Sequence, residues 1–191
     1  MKLYYTPKSH FARKLRILID AWGIDVELID VGDVANSDSF GGNPLMKVPA
    51  LVDGKRCVID SDNIAQYLTR KYDVQDKYKV LTNDVNALNT RAVMNGIMST
   101  EVEILLAKRT GIDIIKYKRF DKMIDSINSG LQWLEQNASI FSSKPTYLGF
   151  HLVCMWDHLE LYAPIELNYP KLQKHVVELS NLSYVVSTLP K

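Results

Sequence analysis

The chain changes character in its middle, and this change limits the folds open to it. In the first part, short segments typical of β-strands alternate with segments whose apolar residues recur at helical spacing. After the polar segment 72–80 no segment is typical of a strand, and 81–109 contains no proline and one glycine, Gly96. The sequence therefore predicts an α/β domain at 1–74 followed by an all-helical domain at 81–191.

The first domain is predicted to have the order β-α-β-α-β-β-α. Its expected elements are a strand at 2–5, a helix at 11–22, a strand within 25–31, one short helix within 32–43, a hairpin of strands 49–52 and 56–59, and a helix at 62–71. Asp53-Gly54 is expected to form the hairpin turn. Ser61 is expected to cap the helix that follows.

The second domain is predicted to be a helical bundle. Its expected helices are one long helix within 81–109, a helix within 113–137, a third helix from about Leu152 to Ala163 that Pro164 ends, and a shorter helix after Pro170. No acidic residue follows Thr146 at the spacing of a capping box, so the third helix must be stabilised at its start by other contacts.

Composition excludes several classes of function. The chain has 23 Lys and Arg against 22 Asp and Glu, which disfavours a nucleic-acid partner held by bulk charge. No apolar run is long enough for a membrane span, and the residues after Met1 do not form a secretory leader. Cys57 and Cys154 are far apart and form no C-x-x-C pair, which favours a reducing, cytoplasmic compartment.

One segment, Asn43 to Leu51, carries the most chemical information. Pro49 begins a predicted strand, where it cannot donate to a ladder, and such a proline is a candidate for a cis peptide bond. The backbone of Val48 would then be free to pair with an extended, peptide-like ligand. An ordinary turn proline is the alternative explanation.

A second segment, Asp60 to Leu68, places Ser61 at the start of a helix. The free N–H groups and positive dipole end of a helix N-terminus suit a ligand carboxylate. Taken alone, Ser61 is equally consistent with a simple capping residue. The short spacing between the two segments favours one shared ligand site.

Together with Lys2 to Pro7, these two segments resemble the glutathione transferase superfamily. The resemblance implies a thioredoxin-like N-terminal domain, a helical C-terminal domain, and a cytoplasmic homodimer that takes reduced glutathione as co-substrate for detoxification of an electrophile. Transferred position by position, Val48 and Pro49 would bind the cysteinyl backbone of glutathione. Asp60 and Ser61 would hold its γ-glutamyl end, and Lys47 would be a nearby charge partner.

The resemblance leaves three candidates for activation of the glutathione thiol. Ser9 is the first choice because it matches the family's serine position, and Tyr5 is an alternative at the end of the first strand. His10 stands where some bacterial relatives have cysteine, so mixed-disulfide chemistry at this position is not expected. His10 is interpreted as a solvated side chain at a helix start, or as a neutral imidazole that accepts the thiol proton.

Other charged and polar groups receive less specific interpretations. Four basic residues, Lys8, Arg13, Lys14 and Arg16, are expected to form a solvated helix face, with attraction of anionic glutathione as the alternative. The spacing of His151, Cys154 and His158 is attributed to a buried helix, and no metal is predicted. Asn95 and Met98 on the long helix are proposed, from helical geometry, to line the site of the electrophile.

Two departures from the family pattern leave a second function open. Met46 replaces the usual glycine before Val48, and the third helix of the second domain lacks its acidic capping residue. A non-catalytic binding protein, similar to the stringent starvation proteins that associate with RNA polymerase, is the alternative. Because Lys47, Asp60 and Ser61 are retained, the sequence favours glutathione binding.

Overall fold

A computed structural model describes residues 1–162 and 165–190 of the protein. The first half forms one four-stranded sheet with the strand order β2-β1-β3-β4. Its elements are β1 (Lys2–Tyr5), α1 (His10–Trp22), β2 (Glu27–Asp30), β3 (Ala50–Asp53), β4 (Arg56–Ile59) and α2 (Ser61–Tyr72). β1 is parallel to β2 and antiparallel to β3, and β3 and β4 form an antiparallel hairpin.

The centre of the sheet shows why these segments fold in this way. Leu3 on β1 lies opposite Leu28 on one neighbouring strand and Leu51 on the other, and both Leu3 and Leu51 are fully buried. Parallel strands require a crossover connection, and the amphipathic helix α1 supplies it. Gly23 ends α1 with a left-handed backbone, as its position in the sequence predicts.

The short helix predicted within 32–43 is wrong. The segment contains only turns, and the Asp33 carboxylate accepts hydrogen bonds from the backbone N–H of Ala35 and the side chain of Asn36. Short polar side chains of this kind bond to nearby backbone and compete with helix formation. The observed order is therefore β-α-β-β-β-α, with a long loop before the hairpin.

Two local predictions in the hairpin and α2 are displaced by one residue. The turn residues are Gly54 and Lys55, with Gly54 at φ 60°, while Asp53 still pairs with Arg56 across the strands. The cap of α2 is Asp60 rather than Ser61, because the Asp60 carboxylate accepts from the first free amides of the helix.

The second half is helical, as predicted. It comprises α3 (Val85–Arg109), α4 (Lys118–Gln136), α5 (Tyr147–Tyr162), α6 (Pro170–Ser180) and α7 (Ser183–Val186), with short 3-10 turns at Ile114–Lys116 and Ala138–Ile140. The long helix begins at Val85, where Asp84 caps it. The predicted end of α5 at Pro164 lies outside the described residues, and no described helix is long and apolar enough to cross a membrane.

α5 lies at the centre of the molecule and joins its two halves. It packs against α1, α3 and α6, and its side chains Phe150 and Val153 belong to the same apolar core as Leu3 of the sheet. The core of the sheet domain therefore extends onto α5, while the other face of α5 belongs to a second apolar core among the helices.

The start of α5 explains the missing acidic residue of the capping box. Thr146 Oγ1 accepts from the backbone N–H of Gly149 at 3.2 Å, so the threonine half of the cap is present. A Cβ atom at position 149 would lie 2.6 Å from Cδ1 of Leu179 on α6. Leu179 thus occupies the space that an acidic side chain at this position would need.

Candidate functional site

A cleft with a volume of about 640 Å³ lies between the sheet domain and the helices. Its walls are the start of α1, the loop residues around 34–37 and 45–48, the C-terminal half of α3, and the end of α5. The cleft therefore brings together the predicted thiol-activating segment and the segment that contains Val48 and Pro49.

Ser9 lines this cleft at the N-terminus of α1. Its Oγ accepts a hydrogen bond from the backbone N–H of Ala12 at 3.2 Å, so the hydroxyl proton remains free to donate. The amides of His10 and Phe11 lie in the first turn, where no helical acceptor exists. Ser9 and the positive end of α1 together form a site suited to an anionic sulfur.

His10 also lines the cleft, but its side chain is 3% exposed, so its interpretation as a solvated residue is wrong. The helix packs this ring between Phe11 and His158, at centroid distances of 3.8 Å and 5.0 Å. Burial holds the pKa of His10 well below its ordinary value, and the charges of His158, His151 and Lys14 act in the same direction. His10 is therefore a neutral imidazole near pH 7.

Tyr5 is not part of the cleft wall. Its ring lies 5.0 Å from the guanidinium carbon of Arg16, on another side of α1. The structure thus brings Ser9 and His10 together in the cleft and leaves Tyr5 apart from them.

The loop before β3 has the geometry expected for binding an extended ligand. The Val48–Pro49 peptide bond is cis, and the Val48 backbone has no backbone partner within the described residues. The Lys47 carbonyl accepts from Asn43 Nδ2 at 2.7 Å, while the Lys47 side chain is exposed at the cleft. Met46 has φ 50°, so the loop keeps a glycine-like backbone without a glycine.

Asp60 and Ser61 lie at the N-terminus of α2, outside the walls of the main cleft. Asp60 Oδ1 accepts from the amides of Asp62 and Asn63 at 2.9 and 3.1 Å, which leaves Oδ2 available to a cation. Ser61 is buried. The two residues are adjacent to a helix N-terminus, as the prediction for a carboxylate-binding site requires.

A buried network ties α2 to its neighbours, and sequence reasoning missed it. Lys14 Nζ lies 2.8 Å from Asp62 Oδ1, and the carboxylate also accepts from Tyr147 Oη at 2.6 Å and Asn95 Nδ2 at 2.7 Å. Burial alone would raise the pKa of Asp62, but the Lys14 ammonium and the Tyr147 hydroxyl hold it well below its usual range. This network joins α1, α2, α3 and α5.

The predicted solvated face of α1 is therefore wrong at two of its four residues. Lys14 has no exposed side-chain surface, and the Arg13 guanidinium is buried 2.5 Å from Asp157 on α5. α1 packs against α5, α2 and α7, and its Leu15 and Leu18 share an apolar core with the sheet, so its charged side chains are enclosed and need partners. The sequence signal for this burial is the presence of the acidic partners Asp62 and Asp157. They lie 48 and 144 positions from Lys14 and Arg13, so no local pattern reveals the pairing.

The residues proposed for the electrophile site lie elsewhere. Met98 is fully buried in the helical core, and Asn95 belongs to the Asp62 network. α3 presents other residues to the cleft, including Val102, Leu106 and Arg109. These residues lie about one to three helical turns beyond Met98 along α3. Which part of α3 reaches the cleft depends on how that helix crosses the others.

The histidines and cysteine of α5 lie inside the bundle. Burial lowers the pKa of His151 well below its ordinary value and raises the pKa of the Cys154 thiol to about 11. His158 lines the cleft, and its Nδ1 lies 3.0 Å from Oε2 of the buried Glu101. Among the described residues no group of three or more such side chains could hold a metal ion.

The sequence matches known proteins mainly in its first half. A family profile described as "Glutathione S-transferase, N-terminal domain" matches residues 3–76. The chain is 39% identical over 106 residues to glutathione S-transferase Z2 of Arabidopsis thaliana, which covers 51% of this chain and 46% of that protein. The match thus spans about half the length of this curated relative.

The fold matches solved structures along the whole chain. A crystal structure of a glutathione S-transferase from Methylobacillus flagellatus KT, with glutathione bound, superposes with a TM-score of 0.85 at 22% identity and covers 100% of this chain and 99% of that one. The holo structure of a maleyl pyruvate isomerase, described as a bacterial glutathione S-transferase of the zeta class, has a TM-score of 0.77 at 21% identity and coverages of 100% and 97%. The TM-scores establish the shared fold, and identities of 21–22% establish nothing beyond the fold.

Proposed function

Since the first half of the chain matches the glutathione S-transferase N-terminal domain and the whole chain has the glutathione transferase fold, we propose that the protein binds reduced glutathione, stabilises its thiolate, and acts as a glutathione-dependent transferase or isomerase. The observation that carries this proposal is the meeting of Ser9 and Val48 in one cleft. Ser9 offers a free hydroxyl proton at a helix N-terminus, and Val48 offers unpaired backbone across from it.

Each part of glutathione has a matching group in this arrangement. The γ-glutamyl carboxylate would bind at the N-terminus of α2 near Ser61, and its ammonium would meet the free oxygen of Asp60. The cysteinyl backbone would pair with Val48 in the manner of an added strand. This placement directs the thiol toward Ser9 at the start of α1.

The energy needed to ionise the thiol is within reach of these groups. A free thiol with a pKa near 8.5 is only roughly 3% thiolate at pH 7, and lowering the pKa by two units requires about 2.7 kcal/mol. A hydrogen bond to a charged group contributes about 1.5–3 kcal/mol, and a helix N-terminus adds about 0.3–1 kcal/mol. Ser9 and α1 are therefore sufficient.

The other wall of the cleft suits an electrophile with an apolar body and an anionic group. On α3, Val102 and Leu106 provide apolar surface and Arg109 provides positive charge; Lys8 and Lys47 add positive charge from the sheet-domain side of the cleft. A structural neighbour is named a maleyl pyruvate isomerase, and such a substrate carries carboxylates. The proposal therefore includes isomerisation of an unsaturated carboxylate as well as conjugation.

Calorimetry and a rate assay test the proposal. We expect reduced glutathione to bind the purified protein with a dissociation constant in the micromolar to millimolar range, and to react faster with chlorodinitrobenzene than in buffer. S-methylglutathione is the matched control, because it should bind without turnover. Absence of binding at millimolar glutathione would refute the proposal and favour a non-catalytic binding role.

We also propose that the protein is a homodimer. Four apolar side chains at the end of α2 and the start of α3 are exposed on the single chain: Tyr72, Val74, Val85 and Leu88. Exposed apolar clusters of this kind commonly mark interfaces. Light scattering should give twice the 21.8 kDa chain mass, and Leu88→Glu should lower it.

A further inference from the structure

A buried acid–histidine pair lies at the cleft, where His158 is part of the wall and Glu101 lies behind it, and the proposed glutathione site uses neither residue. Glu101 on α3 is 1% exposed, and His158 on α5 is 6% exposed. Oε2 of Glu101 lies 3.0 Å from Nδ1 of His158. Within the described part of the chain, Nδ1 of His158 and both Glu101 oxygens have no aligned hydrogen-bond partner, so the 3.0 Å contact between them is an ion-pair distance.

The buried Glu101 carboxylate determines which nitrogen of His158 carries the proton. A carboxylate buried without a partner is costly, and a proton on Nδ1 of His158 gives Glu101 the partner it needs. A carboxylate behind one ring nitrogen holds the imidazole in a single tautomer and orientation. Nε2 of His158 is then the nitrogen available to a molecule in the cleft.

The position of His158 places it beside the reacting groups. Its ring lies 5.0 Å from that of His10 and 4.8 Å from that of Tyr162, and all three side chains line the same cleft as Ser9. His158 belongs to the helical wall, where the electrophile would bind. The pair therefore resembles, in its geometry, the acid-oriented histidine of general acid–base catalysis.

We propose that His158 is the proton-transfer residue for the second substrate and that Glu101 is its positioning residue. The proposal rests on the glutathione-dependent function above and specifies electrophiles that must be protonated on carbon. In such a reaction the glutathione thiolate, whose proton has passed to solvent, forms a bond from its sulfur to the β-carbon of an unsaturated ketone. The π electron pair moves to the carbonyl oxygen, the resulting enolate takes a proton at its α-carbon from Nε2 of the doubly protonated His158, and solvent returns a proton to Nε2.

Two electrophiles separate this role from thiol activation. An unsaturated ketone requires a proton on carbon, whereas chlorodinitrobenzene releases chloride and requires none. We expect His158→Gln to lower the ratio of kcat/KM for the ketone to kcat/KM for chlorodinitrobenzene by about 100-fold. Glu101→Gln should lower the same ratio by about tenfold, since it removes only the orienting carboxylate. His175→Gln, on α6 outside the cleft, is the matched control and should leave the ratio at the wild-type value.

A spectroscopic measurement keeps the proposal testable if His158→Gln does not fold. Nitrogen NMR of the imidazoles in the wild-type protein should show His158 protonated on Nδ1, and Glu101→Gln should change that signal. A wild-type ratio in both variants, or His158 protonated only on Nε2, would overturn the inference while leaving the proposed function intact. Failure of the wild-type protein to bind glutathione would instead overturn the proposed function and this inference together.

Discussion

Replacing Asp62 by asparagine tests the buried network that anchors α2. In the native protein the Lys14 ammonium has no exposed surface and lies 2.8 Å from the Asp62 carboxylate. After Asp62→Asn, the nearest remaining partners of Lys14 are the Asn95 oxygen at 3.4 Å and the rings of Tyr147 and Phe11, at 5.2 and 5.7 Å. A buried positive charge is left without its counter-ion.

The expected loss of stability follows from these contacts. Breaking a buried ion pair from one side typically costs about 3–5 kcal/mol. Because the Asn95 oxygen and two aromatic rings still face Lys14, we expect the lower end, about 3 kcal/mol. For a chain of this size that corresponds to a fall in Tm of about 6–12 °C.

The loss should also depend on pH, with a definite sign. Burial lowers the pKa of Lys14, and removal of Asp62 should lower it further. Between the folded and unfolded pKa values the unfolded chain binds more protons, so stability rises with pH. The deficit of Asp62→Asn should therefore shrink as the pH rises towards the ordinary pKa of lysine, about 10.4.

Urea unfolding followed by tryptophan fluorescence, at one protein concentration, measures this effect. Asp53→Asn is the matched control, because Asp53 also binds a lysine and a tyrosine hydroxyl, Lys71 and Tyr67, but on the surface. We expect a much smaller loss there. Equal losses in the two variants, or a deficit for Asp62→Asn that grows with pH, would refute the reasoning.

Two further predictions concern the site and the packing of α5. Ser9→Ala should lower kcat more than glutathione affinity, whereas Ser61→Ala should mainly weaken binding; calorimetry and steady-state kinetics distinguish them, and a loss of affinity alone in both variants would rule out Ser9 as the activator. Gly149→Ala should lower stability by about 1–3 kcal/mol, because the new Cβ would lie 2.6 Å from Leu179 Cδ1. Gly96→Ala has no atom within 4 Å of the new Cβ and should raise stability by up to about 1 kcal/mol, so a similar Tm change in both glycine variants would contradict this explanation.

Much of the fold could be predicted because it depends on short-range patterns. Alternating apolar residues and the Gly23 stop signal predicted all four strands and α1. The errors were local ones, such as the Asp60 cap taken for Ser61 and the helix expected within 32–43. In both cases short polar side chains had several neighbouring amides to bind, and the choice among them is made by small energy differences.

Less of the site could be predicted, because it depends on residues from distant parts of the chain. Ser9 and Val48 were found because each occupies a recognisable local motif, and the structure places them in one cleft. Asn95 and Met98 were misplaced, because the face that α3 presents to the cleft depends on its packing against α4 and α5.

The sequence by itself determined the two-part architecture and singled out the segments proposed to bind glutathione, since strand alternation, helix caps and a strand-initial proline are recognisable in neighbouring residues. Only the tertiary structure decided which charges are buried and which histidines line the cleft. Lys14 meets Asp62, and Glu101 meets His158, across 48 and 57 positions of the chain. These pairs form because buried charges must find partners, and which partners come within reach is set by how α1, α3 and α5 pack.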